Sequence, residues 1–123
     1  MESTVLYLGR LLFGGYFIFS GFSHFGNLTM MAGYAQSKGV PMAKAAVGFT
    51  GLLLLIGGVS ILLNLYLIVG YLSLVMFLVP VTYMMHAFWK IKEPMAKMSE
   101  MVNFMKNHAL LGAVLLLLAI SIK

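Results

Sequence analysis

Residues 45–89 read AAVGFTGLLLLIGGVSILLNLYLIVGYLSLVMFLVPVTYMMHAFW, with no aspartate, glutamate, lysine or arginine. A helix needs roughly 20 apolar residues to cross about 30 Å of hydrocarbon, and this run is long enough for two. Asn64, near its middle, marks a tight turn, so the run divides into spans over about 41–63 and 65–89. Pro41 suits the first turn of the earlier span, where its missing N–H has no partner to lose. Pro80 falls inside the later one, where it removes a backbone hydrogen bond, frees a carbonyl near Met76 and predicts a kink.

Two further apolar segments flank this pair. One runs from about Thr4 to Phe25, after an acidic residue and without a small-residue cleavage site, and reads as a retained helix. The other covers 107–122, with Ser121 as its one polar residue after the opening Asn107-His108. The first pair is joined by 26–40, GNLTMMAGYAQSKGV, read as a short interfacial segment ending in a turn at Gly39-Val40-Pro41. The later pair is joined by KIKEPMAKMSEMVNFMKN, in which Met95, Met98, Met101, Val102 and Met105 share one helical face while Lys97, Glu100, Asn103 and Lys106 lie elsewhere. Such a pattern predicts a helix lying in the membrane interface. The expected fold is an all-α integral membrane bundle of four transmembrane helices, a single domain, with a short amphipathic helix before the fourth.

Composition agrees. Of 123 residues, 62% are hydrophobic and 9% charged, against roughly 25% charged in soluble domains. The cysteine count of zero excludes disulfides, thiolate catalysis and thiolate-held metals. The net charge of +5 comes from lysines beside apolar segments, which points to lipid head groups as the partner and away from nucleic acid. Lys38, Lys44, Lys90, Lys92, Lys97 and Lys106 belong to the two long loops, against Arg10 and Lys123 on the side of the termini. The positive-inside rule therefore puts loops 26–40 and 90–106 in the cytoplasm and both termini outside.

Polar residues inside spans need a reason. Arg10 lies about 9 Å along the first helix, and no span holds an acid to pair with it. It either snorkels, bonding hydroxyls such as Ser60 and Ser121, or meets a ligand. His24, His86 and His108 all fall at the loop side of an antiparallel bundle, where Thr82, Tyr83, Trp89, Lys106 and Asn107 also fall. They are read either as interfacial anchors or as a small-molecule site. Three histidines on three helices lack the local spacing of a metal motif, and no metal or catalytic set is expected. Gly14 and Gly21 share a stripe with Arg10 and His24, either a groove for an elongated amphiphile or a contact line for another helix.

Several of these elements resemble the DoxX-like membrane proteins: Gly9-Arg10-Leu11-Leu12, Phe19-Ser20-Gly21-Phe22-Ser23-His24, Gly39-Val40-Pro41, Gly57-Gly58, the Thr82–Trp89 stretch and Phe104–Gly112. Two positions depart from the family pattern: His24 stands where many members carry lysine, and Leu54 where many carry glutamate. The resemblance implies a four-helix membrane protein, and some relatives are linked to quinone-dependent redox chemistry, including a subunit of thiosulfate:quinone oxidoreductase.

Three functions compete. The first is a membrane subunit of a quinone-linked redox complex, binding a quinone or other lipid-like ligand with Arg10, His24, Thr82, Tyr83, His86, Trp89, Lys106 and Asn107 as site residues; no cofactor is required, and the chain is not expected to catalyse alone. The second is a non-catalytic assembly subunit that docks a partner protein. The third is a homo-oligomeric small-molecule transporter.

Overall fold

The charge gap between Lys44 and Lys90 folds as two helices joined at Asn64, in a computed structural model that describes residues 1–123. In chain order the helices are α1 (Glu2–Gly26), α2 (Leu28–Ser37), α3 (Ala43–Leu63), α4 (Leu67–Met85) and α5 (Pro94–Ser121), with one 3-10 turn at Phe88–Lys90. α1, α3, α4 with its 3-10 turn, and α5 are long and apolar enough to cross a membrane. This is a multi-pass membrane protein.

The turns explain the helix ends. Asn64 and Tyr66 both take positive φ, 57° and 48°, and Ser60 Oγ donates to the carbonyls of Leu65 and Tyr66, which the turn leaves outside any helix. Pro41 does not open α3: it sits in a turn with Met42, whose φ is 48°, and the helix begins at Ala43. Gly39, with φ 86°, closes the connection after α2. α4 continues through Pro80 and ends at Met85, short of the expected Trp89.

The amphipathic stretch before the fourth span is not a separate helix. α5 runs unbroken from Pro94 through it into the apolar segment. Neither glycine nor proline interrupts 95–111, and the start is fixed strongly: Glu93 accepts from Met95 N at 3.1 Å and Ala96 N at 2.7 Å, with Pro94 in the first turn. Its 28 residues extend about 42 Å at 1.5 Å each. That exceeds the hydrocarbon thickness, so the early turns stand in the head-group region on the loop side.

Glycines decide how the helices pack. A Cβ on Gly14 would lie 2.8 Å from Gly58 O, one on Gly58 2.8 Å from Gly14 O, and one on Gly51 2.8 Å from His24 Cβ. The Gly14–Gly21 stripe of α1 is therefore the contact line with Gly51 and Gly58 of α3, not a groove. α3 and α4 close on each other near their shared turn, where Gly57 faces Leu74 and Gly70 faces Ser60. α4 in turn packs on α5, and α2 packs on α3. Close helix packing does not join α1 to α5. Phe17, Leu54, Leu74, Leu78 and Val114 are fully buried at the centre. Ala32 and Ala35 of α2 pack on Val47 of α3 as a second small core over the loop end.

Candidate functional site

Between the central core and α2 lies a cavity of about 520 Å³. Phe17, Leu54 and Leu78 form its floor, Met31, Tyr34 and Ala35 of α2 cover it, and α5 contributes Lys106, Asn107 and Leu110. The lining is mostly apolar, with a few polar groups directed by the helices that carry them.

Asn107 is the most enclosed of these. It is 5% exposed and lines the cavity, yet its amide enters none of the hydrogen bonds within the chain. No fully enclosed side-chain nitrogen or oxygen lacks a partner, so the amide keeps a small accessible area beside the cavity. His24 is nearly as enclosed. Its Nδ1 lies 2.8 Å from Ser20 O, one turn back in α1, and its ring packs edge-on to Phe77 at 5.9 Å. A carbonyl can only accept, so the neutral ring carries its proton on Nδ1 and leaves Nε2 a lone pair.

His86 also lines the cavity, at the end of α4. Its Nδ1 donates to Glu100 Oε2 at 3.3 Å. Glu100, 8% exposed, is a hub: Oε2 also receives Tyr34 Oη at 3.2 Å and lies 3.5 Å from Lys38 Nζ, while Oε1 receives Asn103 Nδ2 at 3.1 Å. Lys106 reaches across to α1, where Nζ donates to Tyr16 Oη at 3.2 Å.

The expected site residues thus separate. His24, His86, Lys106 and Asn107 meet at the cavity. Thr82 is buried but donates to Leu78 O within its own helix. Tyr83 Oη donates to His108 Nε2 at 3.1 Å outside the cavity, and Trp89 packs edge-on to Phe88 and Phe104 at 5.4 and 5.5 Å. The three histidines do not form one cluster, and no set of three metal-binding side chains comes together. Arg10 lies six residues, about one and two-thirds turns, before Tyr16 and off the cavity, its guanidinium 5.9 Å from the centre of the Tyr7 ring. No hydrogen bond joins it to Ser60 or Ser121, whose hydroxyls donate to backbone carbonyls.

Sequence reasoning missed Glu100, Lys38 and Tyr34. The signal was present in α5: its buried residues are Glu100, Asn107 and Val114, seven apart, two turns of helix each. Extending the inward stripe of the fourth span backwards by two turns reaches the carboxylate.

The sequence model of the DoxX family matches residues 5–87, two thirds of the chain. The chain belongs to the DoxX family. The match takes in α1 to α4 and stops before α5, so the resemblance of Phe104–Gly112 to the family's fourth helix lies outside it, as do Glu100, Lys106 and Asn107. No match is found among curated proteins or among solved structures.

Proposed function

We propose that this chain is the membrane subunit of a quinone-linked redox complex and that its cavity holds the quinone ring. The observation that carries this reading is Asn107, an amide buried to 5% exposure beside an apolar cavity and left without a partner by its own chain. The amide keeps a small accessible area at the cavity, so its hydrogen-bonding groups are open to a ligand oxygen. The Asn107 NH₂ group donates to a ring carbonyl. The His24 lone pair accepts from the hydroxyl of the reduced ring, so the pair serves both oxidation states without either residue changing charge. Phe17 and Phe77 supply flat apolar walls, and the cavity volume falls within the roughly 300–1,000 Å³ usual for small-molecule sites.

Electrons come from a partner protein, and this chain contributes the ring site and its membrane setting. The lysine-bearing loop side faces the cytoplasm, which puts the cavity in the cytoplasmic half of the bilayer. Arg10, Tyr83 and Trp89 take no part in holding the ring.

Mass spectrometry of an organic extract from the gently purified protein tests this. Near-stoichiometric quinone, lost in Asn107→Leu and retained in Arg10→Ala, is the expected result. Retention of quinone by both Asn107→Leu and His24→Phe overturns the site.

A second reading, an assembly subunit that docks a partner, is favoured by Tyr83 and Trp89, both occupied in packing the chain around the end of α4 against α5. It predicts a stable complex in mild detergent and an extract containing phospholipid alone.

A further inference from the structure

The cavity has two unlike rims. On the side of α1 and α5, which do not pack closely, the rim is polar: Lys106 and Tyr16 bond across it, with Ser20, His24 and Asn107 behind them. On the side of α3 and α4 the rim is apolar apart from Thr50, whose hydroxyl donates to Ala46 O and Val47 O of its own helix. Phe49, Met76, Pro80 and Met84 all line the cavity and are all exposed, Phe49 and Met76 to 55%. A side chain that lines a cavity and is also half exposed stands at an opening. Met76, Pro80 and Met84 follow one another at one-turn intervals, so the opening is a slot along α4 rather than a point.

The cause of the slot is the uneven distribution of small contacts along the α3–α4 pair. Near the Asn64 turn, Gly57 and Gly70 let the two helices touch. Towards the loop side no glycine serves that purpose, since Gly48 has no neighbour within 4 Å of where a Cβ would stand. The helices touch through small residues at the turn end, and towards the loop end the bulky side chains Phe49, Met76 and Met84 line the cavity instead. The slot opens onto the outer face of a span, where the surrounding medium is lipid chain.

Given a ring held at Asn107 as proposed above, we propose that the ligand is a long-tailed amphiphile whose head lies towards Asn107, His24 and Lys106 and whose apolar tail leaves the bundle between α3 and α4, past Phe49, Met76, Pro80 and Met84. The tail follows from the two rims. A hydrocarbon chain led out between α1 and α5 must part the Lys106–Tyr16 hydrogen bond and lie against an ammonium group. The same chain led out between α3 and α4 meets apolar side chains, with the one hydroxyl there, that of Thr50, already bonded to its own helix, and then lipid. The slot also discriminates: a polar molecule of the same ring size has nothing to put there.

The test uses full-length protein in nanodiscs and two probes, a benzoquinone with a decyl tail and the same ring without one. Affinities are measured for wild type and for Met76→Trp/Met84→Trp, which narrows the slot without touching Asn107 or His24. The double variant should weaken the tailed probe at least about tenfold, the effect of withdrawing two methylenes from apolar contact, and leave the tail-less ring within about twofold. A tailed probe carrying a terminal diazirine, irradiated on wild type, should label α3 and α4 around residues 49 and 76–84. Labelling concentrated on α1 and α5 overturns the tail path, as does equal weakening of both probes or of neither. Wild type that binds the tail-less ring but gains nothing from the tail keeps the ring site and overturns the tail path. Wild type that binds neither probe overturns both.

Discussion

Tyr34 of α2 and Glu100 of α5, 66 residues apart in the chain, meet through a hydrogen bond from Tyr34 Oη to Glu100 Oε2 at 3.2 Å. α2 is short, amphipathic and covers the cavity, and its own apolar anchorage is the small cluster around Ala32, Ala35 and Val47. The carboxylate adds a second anchorage by drawing Tyr34, Lys38, His86 and Asn103 onto one group. A buried carboxylate is tolerable only when its lone pairs are met, and here donors reach it from α2, from the end of α4 and from α5 itself.

Removing the hub should therefore loosen the cover before it unfolds the bundle. Glu100→Ala leaves Lys38 and His86, both partly exposed, without their shared acceptor and should destabilise the protein by about 2 kcal/mol, as for lost hydrogen bonds to a charged group. Tyr34→Phe removes one hydrogen bond and should cost about 1 kcal/mol. Limited proteolysis at the 38–42 connection, followed alongside thermal unfolding in detergent, separates the two effects. Both variants should be cut faster there than wild type. Unchanged cleavage in Glu100→Ala would show that the apolar cluster alone holds α2.

Adjacent glycines in α1 should behave oppositely. A methyl group on Gly14 meets backbone atoms, Gly58 O at 2.8 Å and Leu62 N at 3.0 Å, which cannot rotate away, whereas one on Gly15 meets nothing within 4 Å. Gly14→Ala should cost about 1–3 kcal/mol as α1 and α3 are forced apart. Gly15→Ala should be neutral, or stabilising by up to about 1 kcal/mol through helix propensity. Thermal melts of the two variants in one detergent decide the matter, and equal melting temperatures would remove the glycine contact from the account.

The spans could be read from sequence because nothing else tolerates residues 45–89, and the small-residue stripe of α1 was visible, but only its partner, Gly51 and Gly58, decides for a contact line over a groove. Glu100 escaped because the methionine face of 95–105 reads equally well as an isolated interfacial helix, and only continuity with Asn107 and Val114 turns the opposite face inward. Which of the polar residues at the loop side share a space was not legible at all. Thr82 and His86 are one turn apart on α4, yet Thr82 bonds its own helix and His86 reaches another. Helical periodicity places a residue on a face; it does not say whether the neighbouring helix has left a cavity there.

Continuity of α5 carries its own prediction. Glu93 caps the helix with two hydrogen bonds from Met95 N and Ala96 N, so Glu93→Ala should cost about 1 kcal/mol and fray the first turns without disturbing the apolar half. Spin labels placed singly over 95–111 should show one unbroken helical periodicity of mobility in wild type. A break in that periodicity near 106–107 would restore the separate interfacial helix.

Asn107 should serve binding and not stability. In protein stripped of lipophilic ligand its amide keeps a small accessible area at the cavity and bonds no group of the chain, so Asn107→Leu breaks no hydrogen bond and should leave stability unchanged within about 1 kcal/mol. The same variant should lose the bound quinone, because a ring carbonyl then faces a methyl group. A residue kept only to hold helices together would behave the other way, since its removal would lower stability and leave ligand content unchanged. Unfolding of stripped wild type and Asn107→Leu, measured beside the quinone content of each as purified, distinguishes the two roles. A variant that is both less stable and fully loaded with quinone would mark Asn107 as a packing residue and leave the cavity without its polar anchor.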